Sequence, residues 1–252
     1  MILNKISGQK KFPFLISGSD TSVGKTVFSG LLGKYLMGIG LRTYLTKPFC
    51  SGASLDIDFL KSASSDGAQA EFNYWYCDEP VSPAAWELAT GCKIDFGDIV
   101  DRLKRVIARQ DCDILLVEGA GGLLAPISGQ DSVASLGQQI EARLFIVAPN
   151  RVGVINHVLL TVEAALRRGL KVSSVVLMEQ EEKDASTVNN AELVRMHMPN
   201  TPDFKGVFEF PWLGKDADNP ELIPLNVKKA ESVLEKVFNE VIKPYFNNDS
   251  NN

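Results

Sequence analysis

Two histidines and four cysteines are all that 252 residues offer in imidazole and thiol groups. Cys50, Cys77, Cys92 and Cys112 form no Cys-x-x-Cys pair and stand beside no histidine cluster, which disfavours structural zinc and a disulfide framework. With only His157 and His197, a nucleophile–histidine pair has little room. No apolar run approaches the roughly 18 residues of a membrane-spanning helix, and residues 1–11 lack an apolar core followed by a small-residue cleavage site. A soluble, cytoplasmic protein without a membrane partner is expected. Basic charge is also scarce: 26 Lys and Arg stand against 31 Asp and Glu, a net charge of −5, which argues against nucleic acid as a partner. Neither an internal repeat nor a Pro/Gly/Ser-rich linker divides the chain. Residues 1–245 are therefore expected to form one domain and 246–252 a disordered tail.

What is present is an ordinary globular balance, 45% hydrophobic and 23% charged. Short apolar runs at Phe14–Ser17, Thr43–Thr46, Ile114–Val117, Leu144–Ala148, Ser174–Leu177 and Gly206–Phe210 read as buried strands. Helix-period segments lie between them at 25–38, 97–109, 156–168 and 188–197, and 225–245 reads as a final amphipathic helix. Such alternation predicts an α/β fold, a three-layer sandwich around a mostly parallel sheet. Ligands then bind at the carboxyl ends of the strands. The less regular segment 62–92 could cover that face.

The residues that follow the strands carry the chemistry. Gly18-Ser-Asp-Thr-Ser-Val-Gly24-Lys25-Thr26 lies where the first strand turns into the first helix. There, backbone N–H groups and the helix N-terminus face phosphate, Lys25 reaches the outer phosphates and the Thr26 hydroxyl suits Mg²⁺. This loop implies a P-loop NTPase-like fold and a nucleoside triphosphate ligand. Five residues rather than the usual four separate Gly18 from the Gly24-Lys25-Thr26 triplet. The second strand is followed by Lys47-Pro48-Phe49-Cys50-Ser51-Gly52, and a lysine there can offset charge on a transferring phosphoryl group. Ile114–Val117 runs into Glu118-Gly119-Ala120-Gly121-Gly122, a carboxylate suited to Mg²⁺ and glycines that admit a ligand close to the backbone. Asp56 and Asp58 supply further acids, or cap a helix. Gly153-Val154-Ile155-Asn156-His157 opens a helix whose free N–H groups could seat a carboxylate.

Taken together, these residues resemble the dethiobiotin synthetase family. The matches are the phosphate loop with its five-residue gap, Lys47-Pro-x-x-Ser51-Gly52, Asp56–Leu60, Ser82-Pro83, Val117–Gly122 and Gly153-x-Ile-Asn156-His157, in order over residues 12–215. The resemblance implies an ATP-dependent cyclo-ligase that carboxylates 7,8-diaminononanoate with CO2 and closes the ureido ring through a carbamate and its mixed anhydride with phosphate. It further implies Lys47, Lys25 and Thr21 at the reaction centre. Ser22, Val23, Gly24, Lys25, Thr26 and Val27 would wrap the phosphates, and Thr26, Asp56 and Glu118 would hold Mg²⁺. Ser51, Gly119, Ala120, Gly121 and Gly122 would lie against the substrate. Gly153, Val154 and Asn156 would hold the substrate carboxylate of the neighbouring subunit in a homodimer.

The chain departs from the family at the base. An amide pair usual after the fifth strand is replaced by Met178-Glu179, so apolar contact replaces hydrogen bonding there, and Pro211, Trp212 and Leu213 form the other nucleotide-side segment. Two alternatives remain at this point: another P-loop amide ligase, or a MinD-like switch ATPase. The latter should show a second lysine early in the loop and a basic amphipathic tail, and the sequence has neither.

Overall fold

The structure, a computed structural model, describes residues 11–64 and 72–247. Its strands are β1 (Phe12–Gly18), β2 (Thr43–Thr46), β3 (Phe49–Ser51), β4 (Trp75–Cys77), β5 (Ile114–Gly122), β6 (Arg143–Pro149), β7 (Lys171–Met178) and β8 (Gly206–Phe210). The α-helices are α1 (Lys25–Gly38), α2 (Leu55–Ala63), α3 (Pro83–Thr90), α4 (Phe96–Ala108), α5 (Val133–Gln139), α6 (Val154–Arg167), α7 (Thr187–His197), α8 (Ile223–Val237) and α9 (Pro244–Asn247).

Six strands pair in parallel in the order β2-β5-β1-β6-β7-β8, and β3 pairs in parallel with β4 in a separate two-stranded sheet. Parallel strands need helical crossovers, so both faces of the large sheet are covered and its strands are apolar on both sides. In β1, Phe14 and Ile16 join the core under α1, α2 and α8, while Leu15 joins the core under α4, α5, α6 and α7. Helix α1 buries Phe28, Leu31, Leu32 and Leu36 at helical spacing. Phe28 packs on Phe145 at 5.6 Å and edge-on to Phe210 at 5.7 Å, which anchors α1 across three strands. The anchored helix holds the phosphate loop at the end of β1. That is also the switch point of the sheet, since β2 and β5 lie on one side of β1 and the chain then crosses to β6, β7 and β8 on the other.

All six strands read from the sequence are present, with bounds shifted by a few residues. The final helix is not continuous. It runs to Val237, widens into a π-helical turn at Phe238–Ile242 and restarts at Pro244, whose ring cannot donate a backbone hydrogen bond. Of the expected tail, Phe246 and Asn247 end α9, and 248–252 lie outside the described residues. Segment 62–92 holds β4 and α3, with 65–71 outside the described residues. Ser82 caps α3 by accepting a hydrogen bond from the Ala85 N–H, Pro83 occupies the first turn, and Trp75 meets Trp86 edge-on at 5.5 Å. Among the described residues no helix is long and apolar enough to cross a membrane.

Candidate active site

The phosphate loop is shaped by backbone that few residues tolerate. A Cβ on Gly18 would lie 2.3 Å from the Asp20 carbonyl and 3.0 Å from Lys25 Nζ, so only glycine lets the loop fold back over its lysine. Gly24 takes φ 93° at the N-cap of α1 and Ser22 takes φ 54°. No side chain caps α1, so its first N–H groups stay free for an anion. Lys25 is buried and donates to the Asp20 carbonyl at 3.1 Å. Burial lowers its pKa from the ordinary lysine value, opposed chiefly by Glu118.

Next to the loop, two side chains converge on one carboxylate and a second carboxylate joins them through a lysine. Glu118, from β5, is 1% exposed. Its Oε1 accepts from the Thr26 hydroxyl at 2.8 Å and from Lys47 Nζ at 2.8 Å, and Lys47 also pairs with Asp56 from the first turn of α2. Burial alone would lower the Lys47 pKa, but the charges and hydrogen bonds of Glu118 and Asp56 outweigh it and hold the ammonium above its ordinary range. Glu118 Oε2 is buried without a hydrogen-bond partner among the described residues. Two carboxylates and a hydroxyl form a hard-oxygen set, and an orphaned carboxylate oxygen among them fits Mg²⁺.

These groups line a cleft of about 390 Å³ at the carboxyl edge of the sheet. Residues 21–27 form one wall; Lys47, Ser51, Asp56, Glu118, Ala120 and Gly121 form the floor and far side, and Trp212 stands at the rim. Gly121 has φ 74°, and a Cβ there would sit 3.4 Å from Thr21 Oγ1, so the glycine turn closes against the phosphate loop. Gly119 faces Val133 and Gly122 faces the Gly18 and Ser19 carbonyls, shaping the turn from behind. Asp58 is solvent-exposed and accepts from the Ser54 hydroxyl at 3.0 Å, away from the cluster. A larger cavity of about 750 Å³ opens beside Lys11 and Lys171, at the amino ends of the strands, the edge where such sheets do not bind their ligands.

Other residues singled out in the sequence lie elsewhere. Met178 is buried with its side chain against Gly24, where a Cβ would come within 3.0 Å of its Cε. The Glu179 carboxylate accepts from Asn150 Nδ2 at 2.6 Å and pairs with Lys183 at 2.7 Å. Neither residue lines the cleft, nor do Pro211 and Leu213. Gly153 caps α6 with φ 89°, and Asn156 and His157 are exposed outside the cleft, beside Val152 at 74% exposure. Phe49, Gly214, Lys215, Ala217 and Asp218 line the cleft and were missed in the sequence. The last four follow Pro211–Leu213 after β8, so the rule that strand carboxyl ends build the site, carried a few residues past Leu213, would have found them.

Comparison with known proteins agrees with this geometry. An AAA domain family model, AAA_26, matches residues 13–215. The chain is 35% identical over 188 residues to the ATP-dependent dethiobiotin synthetase BioD of Anaeromyxobacter sp. (strain Fw109-5), covering 72% of this chain and 83% of the relative. To the protein of the same name from Chlorobaculum tepidum it is 33% identical over 205 residues, 77% of this chain and 84% of the relative. Among solved structures, a complex of a Cyanothece McdA variant with ATP aligns with TM-score 0.57 at 16% identity, covering 92% of this chain and 97% of that one. A nucleotide-binding protein in complex with ADP from Archaeoglobus fulgidus aligns with TM-score 0.51 at 15% identity, over 94% and 95% of the two chains. Those two likenesses concern the fold alone. The sequence identities carry further: this chain belongs to the dethiobiotin synthetase family of ATP-dependent ligases.

Proposed function

We propose that this chain makes dethiobiotin from 7,8-diaminononanoate, CO2 and ATP. One amine attacks CO2, forms an N–C bond and loses a proton to give a carbamate. A carbamate oxygen then attacks the γ-phosphorus, the bond to the bridging oxygen breaks and ADP leaves. The second amine attacks the carbonyl carbon of the carbamic-phosphoric anhydride, loses its proton, and the C–O bond breaks to release phosphate and close the ring. Little acid–base apparatus is needed, because positioning and charge neutralisation supply most of the catalysis.

The observation that carries this reading is the convergence of Lys47 and Thr26 on Glu118, both at 2.8 Å, beside the phosphate loop. Lys25 and Lys47 hold the negative charge of the transferring phosphoryl group. The raised pKa of Lys47 keeps it a fixed cation rather than a base. The Thr21 and Ser51 hydroxyls stand by the reacting amines, and the turn 119–122 lies against the substrate chain. Thr26, Asp56 and Glu118 would hold Mg²⁺, which when bound neutralises phosphate charge. Residues 22–27 wrap the phosphates, and Trp212 at the rim flanks the base, while Pro211, Leu213, Met178 and Glu179 lie outside the cleft and support that end from behind.

We further propose that residues 1–245 form one domain and that the protein is a cytoplasmic homodimer. Gly153 and Asn156 are exposed outside their own cleft while Val154 is buried and anchors the helix start, as expected if its free N–H groups receive the carboxylate of substrate bound by the other protomer. Four free thiols suit a reducing compartment. Incubation with diaminononanoate, bicarbonate, Mg²⁺ and ATP, with dethiobiotin and ADP measured by mass, should give the two products one to one. Nucleotide turnover without dethiobiotin would overturn the reading.

A further inference from the structure

Lys47 lies beyond the sheet that delivers it. The last pair of β2 with β5 is Thr46 with Val117, β2 is the edge strand, and Pro48 follows. Its backbone is held instead by a segment 26 residues on. The Lys47 N–H donates to the Phe72 carbonyl at 3.1 Å, and the Lys47 carbonyl accepts from Asn73 Nδ2 at 2.7 Å. The Phe72 carbonyl also takes the Thr46 hydroxyl at 2.9 Å. The Pro48 carbonyl accepts the Tyr74 and Trp75 N–H groups at 3.1 and 2.9 Å, where β4 begins to pair with β3. Asn73 makes the one side-chain bond in this set to the Lys47 peptide itself. That peptide sets the origin from which a buried ammonium must reach Glu118.

We propose that Asn73 is a positioning residue for catalysis, fixing the Lys47 backbone so that its ammonium meets the phosphoryl group as charge develops. The segment expected to cover the active face thus acts from behind it, through a carboxamide that does not line the cleft. An error of about 1 Å in such a group can lower a rate by about a hundredfold, so the smaller shift left by losing one of the bonds that hold the peptide should lower it by about tenfold. Other groups bind the nucleotide phosphates, so loss of Asn73 should act on kcat rather than on KM for ATP.

The inference rests on the reading of Lys47 as a phosphoryl-stabilising group, and a double-mutant cycle separates the two. Asn73→Ala should lower kcat for dethiobiotin formation about tenfold with KM for ATP within about twofold, and adding it to Lys47→Ala should cause no further loss beyond about twofold. If Lys47→Ala keeps near-normal kcat, the reading of Lys47 fails first. If Lys47→Ala is crippled while Asn73→Ala is normal, or the two losses multiply, or KM rises as kcat falls, the positioning role is wrong. Thermal melts accompany each variant, and Asn73→Asp, which keeps the shape without the donor, replaces Ala should that variant not fold. Failure of both to fold would overturn the proposal, since the contact would then serve the fold alone.

Discussion

The two ends of the nucleotide cleft are built from opposite materials. At the phosphate end, Lys25, Lys47 and Glu118 are each buried; hydrogen bonds and an ion pair tie Glu118 on β5 to Thr26 on α1 and to Lys47 after β2, and Lys47 to Asp56 on α2, while Lys25 is held by the Asp20 carbonyl, so moving one disturbs its neighbours. At the base end, Trp212 stands 42% exposed at the rim, and behind it, outside the cleft, Met178 packs under Gly24 and Glu179 is engaged by Asn150 and Lys183. The two loops there are bridged by Lys215 and Glu181, whose side chains are 75% and 55% exposed, a kind of pair that contributes little in water. Chemistry needs fixed charges, and burial among compensating partners fixes them. Holding a base needs only a surface.

The largest expected effects therefore fall at the phosphate end. Lys47→Ala and Lys25→Ala should each lower kcat for dethiobiotin by ~10²–10³, the usual loss when one group that stabilises transition-state charge is removed. Circular dichroism should show both variants folded. Near-normal product formation by Lys47→Ala would break the comparison, because the buried charges would then be scaffolding.

A second expectation separates the two lysines by stability without nucleotide. Lys47→Met strands Glu118, and breaking a pair with so buried a member should destabilise the protein by about 3 kcal/mol or more. Lys25→Met should act the other way. The Lys25 pKa is lowered by burial, so folding disfavours its charged form; that destabilisation is full at neutral pH and fades as pH rises through the folded value towards the ordinary lysine value. Removing the ammonium should raise the melting temperature. Melts that shift the same way for both would show that the two lysines are not under opposite electrostatic stress.

The phosphate end was legible in the sequence because each of its residues follows an apolar run, and strand ends in a parallel sheet converge by topology. Gly18, Lys25, Thr26, Lys47 and Glu118 are found that way; Asp56 and Asp58 were both candidates from their place after Lys47, and the resemblance selected Asp56. The base end was less legible. Nothing in Leu177-Met178-Glu179 announces that the Met side chain turns under Gly24, which depends on where α1 begins, or that Asn150, one strand away, engages Glu179, which follows from register between β6 and β7. Asn73 carried no signal, since its role depends on a backbone 26 residues earlier that β2 leaves unpaired. The break at Phe238–Ile242 was hidden because the apolar period continues through it while the backbone widens.

The smallest expected effect concerns which triphosphate is used. Lys25, Thr26 and the free N–H groups of α1 bind phosphate whatever base is attached, and the base end presents an exposed indole rather than an oriented amide, with Met178 turned away under Gly24. Stacking on an aromatic ring tolerates any base, since every base has a π-face. Apolar contacts usually discriminate by only ~10–200-fold, whereas a hydrogen-bonded site can reach ~10⁴ by leaving its polar groups unpaired with the wrong ligand. GTP and CTP should therefore support dethiobiotin formation with kcat/KM within about tenfold of ATP, and Trp212→Ala should raise KM for all three by similar factors with kcat little changed. The sharpest result is the ratio between nucleotides. An ATP preference above about a thousandfold would mean that backbone groups of the loops after β7 and β8 read the adenine edge, and the base end would then be as exacting as the phosphate end.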